Sequence, residues 1–240
     1  MDVFRGLLHD ASGRGVADHR AVRGRGDAWA VGPLVVGDER LSGLDGEVAL
    51  SVVTSGGAGA VAALARRTDD LQVVSVETVL RDLDDLATNA ARVVAAAEAL
   101  PEGVDVFVGL PAGRGLVDAV EVVEAAGLLG RVEVGRDVAG RLSVLVEADL
   151  PFKAIGLGPD PLGPYGTVAL LMAVEALVDG ADPEDAEALL AHVEPARATA
   201  ALAGWDAPTQ ARVRRRLRGV DCADPVATLE VLGRAGLLEP

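Results

Sequence analysis

The chain carries one lysine against 21 arginines, and that lysine, Lys153, lies in the apolar run "PFKAIGL" just before a glycine- and proline-rich stretch. An amine held in a low-dielectric interior has its pKa lowered, and the free base can attack a carbonyl to form an imine. Glu77 and Glu133 lie at or near the ends of valine-rich runs and supply carboxylates able to move protons in such a reaction. Glycine-rich segments follow other apolar runs of the chain: "TSGGAGA" (54–60), "PAGRG" (111–115) and "GLGPDPLGPYG" (156–166). Glycines admit backbone N–H groups to an anion, so Gly109, Arg114, Gly156 and Gly158, with Arg131, are the expected ligand-binding positions. The competing account is simpler and leads: Lys153, Arg131, Glu133 and Glu77 neutralise one another, because buried charges require partners.

These residues depend on strands to bring them together. Short β-branched runs at 28–36, 47–55, 71–78, 104–111, 131–135 and 151–157 alternate with Ala/Leu-rich amphipathic stretches. Between the third and fourth runs, Leu86, Ala90, Val93, Ala97 and Leu100 recur at helical spacing, with Asp82 as the expected N-cap. The alternation implies parallel strands joined by crossover helices. Each run has one apolar face, while the opposite face gathers Ser51, Ser75, Glu77, Asp105, Arg131, Glu133 and Lys153. A doubly wound sheet buries both faces and reads as continuous apolar runs. One polar face instead suits strands lining a barrel interior, whose functional end is the carboxyl end of the strands. Six such runs fall short of the usual eight. The expectation is therefore a partial or distorted TIM-like β/α barrel, with an open doubly wound sheet as the alternative. After Tyr165 only helices are expected, with Asp182 capping one that has Pro183 in its first turn. The chain reads as a single α/β domain: a lead-in and first strand over 1–45, βα repeats over 46–166 and a helical C-terminal elaboration over 167–240.

Composition excludes several partners. A net charge of −15 with 2% aromatic residues argues against nucleic acid and against anionic membrane surfaces. One cysteine, Cys222, rules out an internal disulfide and fits a reducing compartment, and no apolar run reaches the roughly 18 residues of a membrane span. A cytoplasmic protein, with self-assembly into a homo-oligomer allowed, is the expectation. His9, His19 and His192 show no metal-ligand spacing, so neither a metal nor another cofactor is expected. Cys222 reads as a packed or idle thiol in a loop, and "RVRRRLR" (212–218) as a solvated helix face paired with carboxylates.

One further motif bears on function. "GAGAVA" (57–62) fits G-x-G-x-x-A at a helix start, with Glu77 ending the next strand where a dinucleotide fold places its ribose-binding acid. Three polar or small residues separate the motif from the preceding apolar run, and small residues abound in this chain.

The segments "AWAVGPLVVGDERL", "VSVETVLRDLDDL", "VDVFVGLPAG", "LPFKAIGLG" and "RVRRRLRGVDCADPVATLEVLGRAGLL" resemble a family of barrel-like α/β proteins of high-GC actinobacteria with no assigned activity. The family pattern ends the fourth strand with an acid before Val-Pro and follows Phe-Lys-Ala with Gly-Leu-His-His-Pro. This chain keeps Glu77 and Lys153 but has Gly109 in place of the acid and "GLGPDP" in place of the paired histidines. The resemblance thus implies the fold and, through those two departures, a catalytically silent relative. Three function classes follow: a pocket for a small carboxylate, phosphate or carbonyl metabolite, extending to a Schiff-base lyase or aldolase; a silent structural relative; and a nucleotide-binding oxidoreductase.

Overall fold

The computed structural model describes residues 2–44, 46–68, 70–135 and 138–238, so the boundary expected at residue 45 lies outside the described residues. Eight parallel strands close into a barrel in sequence order. They are β1 (Leu8–Asp10), β2 (Val31–Gly37), β3 (Leu50–Val53) and β4 (Val73–Val79), then β5 (Asp105–Gly109), β6 (Leu129–Glu133), β7 (Phe152–Ile155) and β8 (Leu217–Cys222). The barrel is closed rather than partial, because the chain adds two strands to the six expected. β1 is only three residues long, and β8 lies within the stretch expected to be helical. β8 pairs with both β7 and β1, and this closes the ring.

The helices follow the strands. α1 (Val16–Arg23), α2 (Ala58–Leu64), α3 (Leu86–Ala97), α4 (Leu116–Ala125) and α5 (Val138–Glu147) fill the first crossovers. Between β7 and β8 stand α6 (Thr167–Val178), α7 (Pro183–Ala191), α8 (Pro195–Ala203) and α9 (Ala207–Arg216), and α10 (Pro225–Arg234) follows β8. α6 is apolar on nearly every side because α5, α7, α8 and α9 all pack on it. Leu86, Ala90 and Val93 are the buried face of α3, but its N-cap is Asp85 rather than Asp82: the Asp85 side chain accepts a hydrogen bond from Thr88 N at 3.0 Å. Asp182 occupies the N-cap of α7 ahead of Pro183, without a side-chain capping bond.

Strand register fixes which residues share a face, since hydrogen-bonded partners in neighbouring parallel strands point the same way. Val76, Val106, Val108, Val132, Phe152 and Ala154 point outward and are buried beneath the helices. Burying each valine or phenylalanine among them contributes about 1.5–3 kcal/mol. Inward, Ser51 stands beside Ser75, Ser75 beside Asp105, and Glu77 beside Phe107. Gly109, Arg131, Lys153 and Gly219 form a continuous inward row across β5 to β8, and His9 stands beside Asp221. Most barrel interiors are filled by branched aliphatic side chains. This one is threaded by polar and charged groups. No helix among the described residues is long and apolar enough to cross a membrane.

Candidate functional site

Lys153 is wholly buried and lies against Glu77 Oε1, with Asp221 Oδ1 at 2.6 Å from its Nζ. Glu77, also wholly buried, receives Arg131 Nε on its other oxygen at 2.8 Å and the Ser51 hydroxyl at 2.8 Å on Oε1. Ser75 donates in turn to Ser51 at 2.7 Å. Two cations and two anions therefore balance inside the barrel. Strand alternation brought Lys153, Glu77 and Arg131 to one face, and closure brings them into contact.

Electrostatics separate the two carboxylates. Burial raises the Glu77 pKa, but Lys153, Arg131 and Ser51 together outweigh it, and the carboxyl is held below its usual range. For Asp221, burial and the like charge of Glu77 outweigh the attraction of Lys153, and its pKa is raised. Geometry agrees: Asp221 Oδ1 is at ion-pair distance from the ammonium, yet makes no well-oriented hydrogen bond. The Asp221 side chain is 17% exposed, and this is the cluster's opening toward solvent on that side.

The signs give a pH dependence. Glu77, with a lowered folded pKa, contributes stability that is present above the ordinary carboxylate range and lost as pH falls through its folded value. Asp221, with a raised folded pKa, contributes stability that is present below the ordinary range and lost as pH rises through its folded value. Asp221→Asn abolishes the second loss. Urea denaturation of both proteins at a series of pH values from about 4 to 8 is expected to show the variant gaining on the wild type as pH rises. A constant or shrinking difference would contradict this ordering of the two carboxylates.

Two cavities open at the carboxyl ends of the strands. The first, about 410 Å³, is walled by Gly109, Leu110, Pro111, Arg131, Glu133 and Arg141 among others. Glu133 does not join the ion cluster. It sits at the end of β6 with its side chain exposed, while its backbone carbonyl accepts from Arg141 Nη2 at 2.6 Å. The structure thus corrects its expected pairing with Lys153: Glu133 stands one inward position above Arg131, beyond the level of the lysine. Arg131 is 14% exposed, and among the described residues its only side-chain hydrogen bond is the one from Nε to Glu77. Its terminal nitrogens remain free to serve the cavity. Burial lowers the Arg141 pKa, and the charge of Glu133 opposes that shift. Gly109 is tight: a Cβ there would stand 3.1 Å from both Thr78 O and Val79 Cγ1. Arg114 lies exposed on the loop after β5 and does not line this cavity.

The second cavity, about 320 Å³, lies between the loops after β7 and β8 and is lined by Gly156, Gly158, Thr167, Asp221 and Asp224 among others. The two glycines therefore meet the ion cluster through Asp221 and not through Arg131.

Two members of the interior went unrecognised in the sequence, His9 and Asp221, because both lie on the unexpected strands. His9 is 6% exposed, and its Nδ1 has no hydrogen-bond partner. Burial, and then the positive charges of Lys153 and Arg214, drive its pKa well below the ordinary value, so it is neutral. His19 is committed elsewhere, its Nδ1 lying 2.9 Å from Asp10 Oδ2 in a buried pair between α1 and β1. Cys222 ends β8 instead of lying in a loop. It donates to Thr228 Oγ1 at 3.2 Å, and burial raises its pKa. The basic run is divided. Arg212 and Arg215 make surface pairs with Asp179 and Asp149, as expected, whereas Arg214 turns beneath the barrel. The Gly57 turn leads into α2, but Glu77, the acid of the dinucleotide reading, is sealed inside the barrel and unavailable to a ribose there. No group of three or more His, Cys, Asp or Glu side chains among the described residues is arranged to hold a metal ion. Comparison of the chain with protein-family models, with curated proteins and with solved structures found no match.

Proposed function

We propose that the chain binds a small anionic metabolite, a carboxylate or phosphate, at the carboxyl-terminal mouth of the barrel, with Arg131 and Arg141 receiving the charged group. The observation that carries this reading is the state of Arg131. Its Nε is anchored on buried Glu77, which fixes the guanidinium plane, and its terminal nitrogens have no partner among the described residues at the wall of a cavity. A guanidinium fixed in this way loses little further freedom on meeting an oxyanion. In this reading Lys153 is a charge anchor: it holds Glu77 ionised, and Glu77 holds Arg131.

The imine-forming alternative requires an accessible, uncharged amine. Lys153 has no exposure and two carboxylates against its ammonium. The resemblance to the actinobacterial family points the same way. Gly109 removes an acid from the mouth, and its tight surroundings leave no room for one without movement of β4.

Thermal-shift titration with a panel of short keto acids, dicarboxylates and sugar phosphates tests the proposal. At least one compound is expected to stabilise the protein saturably, by about 2.7 kcal/mol at a hundredfold excess over Kd. Arg141→Met and Arg131→Met are each expected to abolish that gain. Stabilisation by no compound, or stabilisation by a keto acid or dicarboxylate that persists in both variants, would overturn the reading. Borohydride treatment with the same panel is expected to leave Lys153 unmodified by mass spectrometry. A substrate-sized adduct mapped to Lys153 would replace binding with imine chemistry.

A further inference from the structure

We propose that the opposite, amino-terminal mouth of the barrel is a separate binding site for a tetrahedral oxyanion of the phosphate type, held by Arg214, Arg218 and His9. A cavity of about 410 Å³ opens there, lined by His9, Ser75, Asp105, Phe107, Arg214 and Arg218 among others. A water molecule occupies about 30 Å³ in the liquid, so the space holds a phosphate with part of its hydration shell.

Arg214 comes from the last turn of α9 and donates only to backbone carbonyls: to Leu217 O, and to Arg5 O and Arg218 O, each at 3.2 Å. Among the described residues no carboxylate lies within ion-pair distance of Arg214 or of Arg218. Burial, and then the like charge of Arg218, lower the Arg214 pKa to about 10. Two guanidinium groups thus share the cavity with a single carboxylate, Asp105, which pairs with neither of them at ion-pair distance among the described residues. Asp105 shares the cavity and feels the charge of Arg218, but burial pushes its pKa up. With neutral His9 the cavity carries one net positive charge.

His9 is the second, independent observation. It is more than nine-tenths buried, it lines this cavity, and its ring makes no hydrogen bond among the described residues. A buried polar group left unpaired is costly, and a neutral imidazole has one N–H to offer an oxyanion at the nitrogen that faces the cavity. The donors come from three places: the end of α9, the start of β8 and the middle of β1. One guanidinium satisfies a planar carboxylate through two parallel bonds. Convergence of two guanidinium groups and an imidazole suits an anion with oxygens in several directions, and so favours phosphate over carboxylate.

Free inorganic phosphate and the phosphomonoester of a metabolite share this chemistry, and separate titrations of the full chain with inorganic phosphate and with glycerol phosphate distinguish them. Calorimetry is expected to show saturable binding of at least one. Arg218→Met, at an exposed side chain with no hydrogen bond to lose, is expected to weaken it by about tenfold or more. These titrations are made in an Arg141→Met background, which removes the carboxyl-terminal mouth as a competing anion site. In parallel, the His9 imidazole nitrogen resonances are expected to move with the added anion. Absence of saturable binding overturns the proposal. So does binding in that background that resists Arg218→Met, or His9 resonances that stay fixed while phosphate binds. Because the two variants address opposite ends of the barrel, failure here leaves the carboxyl-terminal reading standing, and the converse holds.

Discussion

Replacing Lys153 by methionine is expected to destabilise the fold by about 3–5 kcal/mol, the usual cost of removing one partner from a buried ion pair. For a chain of this size that corresponds to a fall in Tm of roughly 6–20 °C. Methionine fills much of the lysine stem's volume, so the loss is electrostatic rather than a cavity effect. With the ammonium gone, Glu77 keeps Arg131 and Ser51, but Asp221 keeps no ion-pair partner among the described residues, only the more distant charge of Arg131. The interior then holds one uncompensated negative charge. Adding Asp221→Asn to Lys153→Met restores neutrality around the Glu77–Arg131 pair, so the double variant is expected to be more stable than Lys153→Met alone by about 1–3 kcal/mol. Urea denaturation of the wild type, both single variants and the double variant closes the cycle. Strict additivity would mean that the lysine and Asp221 do not interact. A stable Lys153→Met protein would mean that Lys153 is not held as an ammonium, and imine chemistry would then become the leading account of the site.

The strands that carry this cluster were legible in part, and the division has a physical cause. Side-chain alternation has a period of two, so any strand with four or more residues and an apolar face declares which residues point inward. By that alternation alone Ser51, Ser75, Glu77, Arg131 and Lys153 share one face, and register agrees in pairing Ser51 with Ser75 and Arg131 with Lys153. Alternation says nothing of depth along the barrel axis, because depth follows from the stagger that closure imposes between strands. Glu133 has the right face and the wrong level, which is why Asp221 and not Glu133 is the second carboxylate on Lys153. β1 and β8 were illegible for a different reason. Leu-His-Asp is too short to show a period, and in Leu-Arg-Gly-Val-Asp-Cys the residues are mostly polar or small and follow directly on an arginine-rich helix. Both strands line the polar side of the interior, so the burial of His9 and Asp221 replaces the apolar signal by which strands are ordinarily recognised.

Gly219→Ala is expected to destabilise the barrel by about 1–3 kcal/mol, through overpacking at the seam where β8 meets β1. The requirement for glycine is one of space, since Gly219 is not among the glycines with positive φ. A methyl group there would overlap His9 Nε2 and stand 2.6 Å from Cε1 and 2.8 Å from Cδ2, well inside van der Waals contact. The ring cannot retreat toward β2. Gly32 walls that side, where an added Cβ would lie 2.7 Å from the same Cδ2 and 2.7 Å from Gly6 O. His9 is therefore gripped by the bare backbone of two strands, and those glycines exist for the imidazole. The test is compensation. In a His9→Ala background the alanine at 219 meets no ring, and Gly219→Ala is expected to cost about nothing there beyond the effect of His9→Ala itself. Denaturation midpoints of the four proteins decide the matter. If Gly219→Ala is neutral alone, or costs as much without the imidazole as with it, the slot does not hold His9, and the ring's fixed presentation at the amino-terminal mouth loses its structural basis.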